Sequence, residues 1–234
     1  MSTFTTSIGE IKDDSYQLRG TPIAELIRNA DFISTIWLAW MNAVPTDAVR
    51  ALLNACLVAC IDHGTEPPSA NVTRITASCG KPIADAVAAG LLTLGPRHGN
   101  AAGASSAWIR EALTSGRSAA AIATESIENK KRIPGFGHPE YDVDPRTGAL
   151  ATIATAQLGA TPHLTLALEI SAALTAQKEK PLPLNVDGAI GAIVADLGAP
   201  ADIADAIFIA SRTIGLLAHA REEAGSGALR YQRG

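Results

Sequence analysis

Apolar residues recur at three- and four-residue intervals along most of this chain, and hardly anywhere at intervals of two. After VPTD, where Thr46 can cap and Asp47 suits a first turn, Val49, Leu52, Leu53, Cys56, Leu57 and Cys60 share one face. The spacing predicts an amphipathic helix ending near Asp62. A loop with paired prolines, HGTEPPS, follows it. Residues 82–94 begin with Pro82, favourable in a first turn, and stop at Gly95-Pro96, while 100–114 and 118–131 read as two more alanine-rich helices. Residues 147–179 are helical with a break around 159–162, and 187–197 and 201–224 close the set. Alternating, β-branched stretches are nearly absent, so the expected fold class is all-α, with the unusual residues gathered in loops.

Composition narrows this further. A chain of 234 residues, 47% of them hydrophobic, can bury a substantial core as one large domain or two small ones. With 19 basic against 23 acidic residues the formal charge is −4, which leaves no global basic field for nucleic acid. Anions must then be held by local arginines. Cys56 and Cys60 fall one helical turn apart in an apolar run, and with Cys79 the count is odd, which points to buried thiols in a reducing cytoplasm. The start, MSTFTTSIGEIKDDS, is polar and acidic, unlike a signal peptide, and no run approaches the roughly 18 apolar residues of a membrane helix. A soluble cytoplasmic protein is expected, with neither nucleic acid nor membrane as partner.

Several motifs can be excluded. GxxxxGK[ST] does not occur, and PGFGHPE lacks the third glycine and preceding strand of a dinucleotide fingerprint. Cys-x-x-x-Cys without a nearby histidine pair is a poor zinc site, so no metal is expected. What remains is a set of polar residues at helix ends, each beside a glycine: His63 in IDHGTEPPS, His98 in LGPRHGN, His138 in PGFGHPE and Asp187 in LNVDGAIG. Any one alone would read as a surface or capping group, Asp187 as a helix N-cap. His163 and His219 lie inside helical patterns and read as structural.

These segments carry a resemblance. LGPRHGNAAGA resembles the GPLHGGA-type segment of citrate synthases, PGFGHPEYDVDPR their GxGHxVYxxxDPR segment, and LNVDGAIGAIVADLGAP their NVDxxSGxxLxxLGxP segment, in the family's order. SRTIGLLAHAREE is similar to the helix that follows, and IDHGTEPPSA to the earlier DHG segment. The short length, with TSIGEIKDD, DHGTEPPSA, GLLTLG and LNVDGAIG, also resembles the citryl-CoA lyase module that ends ATP-citrate lyase and stand-alone bacterial citryl-CoA lyases.

The resemblance implies an acyl-CoA enzyme acting on the carbon-carbon bond between acetyl-CoA and oxaloacetate, or a similar 2-oxo acid, through citryl-CoA. It implies Asp187 as base, His98 as donor to the enolate oxygen and His138 as donor to the oxo group, a division of labour that enolate chemistry requires. His63, Arg146, Arg212 and Arg230 would hold the acid, since planar guanidinium groups suit carboxylates, with Arg233 as the alternative to Arg230. The turn Ile133, Pro134, Gly135, Phe136 and Gly137 would receive the adenine of coenzyme A, with Lys130, Lys131 and Arg132 near its phosphates. Coenzyme A enters as a thioester substrate, and no prosthetic group is implied. The implied architecture is a large helical domain from 1–100 and 192–234, a small one from 101–191, and a homodimer or larger assembly in which Arg230 reaches the partner's site. Three readings stay open: a synthase, a citryl-CoA lyase, and a non-catalytic coenzyme A-binding or regulatory subunit of the same fold. Glu140 and Asp142 stand where the family commonly has basic or apolar residues, the interval from His138 to Arg146 is one residue short, and HGTEPPS replaces a glycine-rich segment.

Overall fold

The computed structural model describes residues 6–12, 15–95, 98–99, 101–178 and 181–225. Among them are eleven helices and one small sheet, so the fold is all-α as expected. Its contacts divide the chain into two units, Met1–Asn54 and Ala55–Gly234.

The first unit holds elements that periodicity did not predict. Strands β1 (Gly9–Lys12), β2 (Ser15–Leu18) and β3 (Thr21–Pro22) form an antiparallel sheet in that order. Arg19 and Gly20 both have positive φ, 51° and 78°, the geometry that a two-residue hairpin turn demands. The Arg19 guanidinium then donates to the Ala39 carbonyl from Nε at 3.0 Å and Nη2 at 2.8 Å. That pair ties the hairpin to α2 (Phe32–Met41), which follows α1 (Ile23–Asn29). Asp31 caps α2 by accepting from the Ser34 N–H at 2.9 Å. These strands are too short, and too exposed at Ile11 and Tyr16, to leave an alternating pattern.

α3 (Asp47–Cys60) buries the predicted face through Leu52, Leu53, Cys56 and Cys60. Both thiols are buried, and burial pushes the Cys56 thiol up to about 12; Cys79 is exposed, against expectation. In the second unit α4 (Pro68–Ser78), which the sequence did not announce, packs with α5 (Ile83–Leu91) and α11 (Asp202–Gly225). The buried face of α4 is Ser69, Ala70, Thr73 and Ala77, so it carries no strong apolar period. Small residues let these helices approach closely around Ala70, Ala77, Ala86, Val87, Leu216 and Ala220.

The remaining helices are α6 (Ala102–Thr114), α7 (Ala119–Glu128), α8 (Pro145–Leu158), α9 (Pro162–Ala176) and α10 (Val186–Asp196). α10 packs on α6, α8, α9 and α11, and every residue from Gly188 to Ala195 is buried. Ile190, Ile193 and Val194 are wholly enclosed, each worth about 1.5–3 kcal/mol of burial. Asp196 at its end caps α9, accepting from the His163 N–H at 2.9 Å and the Leu164 N–H at 3.1 Å, while His163 Nδ1 lies at 2.8 Å; His163 is structural, as read. α11 corrects one expectation, because its length and hydropathy match a membrane span, with 50% of that window buried as in a core helix.

α10 admits almost no added volume at its start. A Cβ on Gly188 would collide with the Gly135 carbonyl oxygen and approach the Leu184 Cδ1 at 2.5 Å. Gly188→Ala is therefore expected to destabilise the protein by about 1–3 kcal/mol, measured as a lower urea midpoint with an unchanged m-value.

Candidate active site

A short backbone pairing brings the conspicuous residues together. Residues 135–137 run antiparallel to 183–185: the Gly137 N–H donates to the Pro183 carbonyl at 2.7 Å and the Asn185 N–H to the Gly135 carbonyl at 3.0 Å. Asn185 reinforces the pairing, donating from Nδ2 to the Gly137 carbonyl at 2.9 Å and accepting from the Gly188 N–H at 3.1 Å as the N-cap of α10. Gly135 and Gly137 have φ of +85° and +91°, and a Cβ on Gly135 would lie 2.5 Å from the Gly188 Cα. His138 leaves this turn just where Asp187 enters the first turn of α10.

Asp144 fixes the arginine. Buried as the N-cap of α8, it accepts from the Arg146 N–H at 3.1 Å, from Arg146 Nε at 2.9 Å and Nη2 at 2.8 Å, and from the Val186 N–H at 3.0 Å. One carboxylate thus locks the starts of α8 and α10 together and orients a guanidinium. From α11, Arg212 is buried, donates from Nε to the Cys60 carbonyl at 3.2 Å and lies 4.8 Å over the Phe208 ring. Phe208 also closes on Gly99, where a Cβ would meet its Cε1 at 2.6 Å. Asp62 holds the His63 loop, accepting from the Gly64 N–H at 3.0 Å and meeting His219 Nε2 at 2.9 Å, which gives His219 a structural task.

His63, His98, His138, Arg146, Asp187 and Arg212 all line one cavity of about 350 Å³. The seventh expected residue, Arg230, and its alternative Arg233 lie outside the described residues. The turn is shared out. Ile133, Phe136 and Gly137 line a second cleft of about 550 Å³ together with Lys130, Lys131, Arg132 and Lys178, and this cleft meets the cavity at Gly137, His138 and Pro139. Pro134 lines a third cavity beside Trp108, and Gly135 is buried against Gly188. Glu66 and Glu140 also face the 350 Å³ cavity. Sequence reading passed over Ser69, Asn185 and Asp144, although an Asn or Asp ahead of a helix start signals a cap.

The hydrogen bonds assign the imidazole tautomers. His98 Nε2 accepts from the Ser69 N–H at 3.3 Å and lies 2.9 Å from the Ser69 Oγ. A backbone N–H can only donate, so the neutral ring carries its proton on Nδ1. His138 is the opposite, because its Nδ1 accepts from the Glu140 and Tyr141 N–H groups at 3.1 and 3.2 Å, leaving the proton on Nε2. The His138 ring stacks on Tyr141 at 4.5 Å and meets His63 edge-on at 5.4 Å.

Burial holds all three imidazoles below the usual 6.5, helped by Arg212 and His63 at His98, by Arg146 at His138, and by Arg146 and His138 at His63. All three are neutral at pH 7. Asp187 is pushed from 3.8 to about 6, chiefly by burial, against the pull of Arg146 and Arg212 and with Asp205 and Asp144 adding to the rise. Its Oδ1 is buried with no hydrogen-bond partner among the described residues. Among the described residues no group of three or more His, Cys, Asp or Glu is arranged to hold a metal ion.

Comparison with known proteins gives concordant matches. The model of the citrate synthase C-terminal domain matches residues 39–232. The solved citryl-CoA lyase of Hydrogenobacter thermophilus is 36% identical, covers 99% of this chain and 91% of its own, and superposes with a TM-score of 0.90. ATP citrate lyase of Methanothrix soehngenii, solved with citrate and coenzyme A, is 25% identical with a TM-score of 0.90, covering 100% of this chain and 41% of its own. An ATP-citrate synthase beta chain of Arabidopsis thaliana is 27% identical over 92% of this chain, which spans only 39% of that relative's length.

The tautomers and protonation states are directly observable. In ¹H–¹⁵N spectra of the imidazoles, His98 should appear as the Nδ1–H form and His138 as the Nε2–H form, both neutral at pH 6.5 and titrating below it. A protonated His98 at that pH would contradict the assignment.

Proposed function

Because the chain belongs to the citrate synthase family, we propose that it cleaves citryl-CoA to acetyl-CoA and oxaloacetate, or joins these in reverse. Asp187 carries the reading: a buried carboxyl of raised proton affinity, with an oxygen that has no hydrogen-bond partner among the described residues, in one cavity with two neutral imidazole donors and two guanidinium groups. The sequence alone ranked a synthase first. Likeness to a citryl-CoA lyase over nearly the whole of both chains favours the lyase, and a synthase remains the second reading because it differs only in whether water reaches the thioester.

In cleavage the hydroxyl of citryl-CoA sits at His138 Nε2–H, and its two free carboxylates face Arg146 and Arg212. The Asp187 carboxylate takes the hydroxyl proton as the carbon-carbon bond breaks. The resulting enolate oxygen is held by His98 Nδ1–H, and Asp187 returns the proton to the enolate carbon, so protons balance. Condensation runs the same steps backwards. Asp187 then removes the proton beside the thioester, and its raised affinity makes it a stronger base than an ordinary aspartate. His63 borders the oxo acid. The second cleft, with four basic side chains opening beside His138, suits the phosphates and arm of coenzyme A.

The same reading includes a large domain from 1–100 and 192–234, a small one from 101–191, and closure between them that excludes water from the enolate. It includes a cytoplasmic homodimer or larger assembly with Arg230 or Arg233 crossing into the partner's site, so dilution to monomers should abolish turnover.

Incubation of the protein with citryl-CoA, with products read by mass spectrometry, should give acetyl-CoA and oxaloacetate. Citrate plus free coenzyme A would instead mean a synthase, and binding of coenzyme A without turnover a non-catalytic subunit. Asp187→Asn should lower kcat by about 10²–10⁴-fold. The same variant should unfold at higher temperature than wild type at pH 8. A folded pKa of about 6 against an ordinary 3.8 means that the wild-type carboxyl loses stability as pH rises through that window, and asparagine has no such loss.

A further inference from the structure

The face of α11 that carries Arg212 into the cavity carries another charged residue two turns earlier, Asp205, with Phe208 between them. Asp205 Oδ1 accepts a 2.7 Å hydrogen bond from the Gly103 N–H, in the first turn of α6. That helix is entered from the segment bearing His98. The fit is close, because a Cβ on Gly103 would run into the Asp205 carboxylate. α6 meets α10 at the same level: a Cβ on Gly191 would lie 2.7 Å from the Ala102 carbonyl oxygen and 2.8 Å from the Ser106 nitrogen. Gly191 is one turn along α10 from Asp187. Three helices converge there on small residues, with the Asp205 carboxylate at their junction.

We propose that Asp205 is a positioning residue for the reaction: it anchors the start of α6 behind the His98 segment and sets a further carboxylate at the helix junction behind Asp187. The proposal deepens the reading of Asp187 as the acid-base group and rests on it for its kinetic consequence.

The charges around Asp187 explain why a second carboxylate matters. Arg146 from the first turn of α8 and Arg212 from α11 both favour the ionised form, whereas Asp144 at the cap of α8 and Asp205 oppose it. Cys60 at the end of α3 is a buried neutral thiol, and His98 and His138 are neutral donors. Two guanidinium groups that bind substrate carboxylates would otherwise pull Asp187 towards the weak basicity of an ordinary aspartate. Asp205 offsets them from outside the cavity lining, where it does not face the anionic substrate. The hydrogen bond from Gly103 holds its carboxylate at the start of α6.

The test is the titration of Asp187 in ¹³C-aspartate-labelled protein, its signal identified by loss in Asp187→Asn. In Asp205→Asn, which keeps an acceptor for the Gly103 N–H and loses the charge, the midpoint should fall by about half a pH unit or more. The acid limb of kcat/KM for citryl-CoA cleavage should move down by the same amount. Asp205→Ser, with a hydroxyl acceptor, should shift it likewise and serves if the first variant folds poorly; Asp205→Glu, which keeps the charge, should hold the midpoint near the wild-type value. An unchanged midpoint in folded Asp205→Asn or Asp205→Ser overturns the proposal. If the midpoint falls while wild-type protein does not turn over citryl-CoA, the coupling stands and the proposed function fails.

Discussion

The antiparallel pairing of 135–137 with 183–185 is the constraint on which the site depends. It joins segments almost fifty positions apart and does so with only a few backbone bonds, so its strength comes from what crowds against it. Gly135 and Gly188 approach at a distance no side chain would permit. Asn185 uses one side chain to hold the turn and cap α10. Asp144 does the same from the other direction, since the carboxylate that orients Arg146 also accepts from the backbone of Val186. The helix bearing Asp187, the turn bearing His138 and the helix bearing Arg146 are therefore located relative to one another before any substrate enters. That is the preorganisation on which proton transfer and charge stabilisation depend.

Such an arrangement opposes stability locally. A carboxyl whose oxygen has no partner among the described residues, and a guanidinium buried with a carbonyl and an aromatic face for neighbours, are both costly to remove from water. The surrounding helices offset that cost. α10 is enclosed on nearly every side immediately after Asp187, and α4, α5 and α11 interlock through alanine and glycine. The apolar, fully buried part of α10 begins immediately after Asp187, so burial along one element supports the carboxyl at its first turn.

How much of this is legible in the sequence follows from the kind of signal each part leaves. Helices with an apolar stripe, such as α3, announce themselves, and the break between α8 and α9 is written in Gly159 and Pro162. α4 is silent because it buries Ser69, Ala70, Thr73 and Ala77 against equally small neighbours. The hairpin formed by β2 and β3 is silent because its turn uses an arginine at positive φ, which no turn rule favours. In the site, histidines beside glycines and an aspartate at a helix start were readable as a set. Their supports were not: Ser69 fixes the tautomer of His98 from a helix that periodicity missed, and Asp205 meets α6 across a hundred residues of chain. Long-range partners of this kind leave no local pattern.

The neutrality of the histidines gives the arrangement its chemical sense. In the proposed reaction two guanidinium groups already supply positive charge for carboxylates, and an imidazolium beside them would add repulsion while binding substrate and products alike. A neutral N–H donor contributes little until charge develops on the oxygen it faces, and then strengthens as that charge grows. Burial and the nearby arginines depress the imidazoles, while burial raises Asp187. One cavity thus drives Asp187 and its imidazoles towards their uncharged forms, in opposite directions along the pH scale. On the proposed reading, the result is a carboxyl and two donors matched for moving a proton near neutrality, beside two guanidinium groups whose positions Asp144 and the Cys60 carbonyl fix.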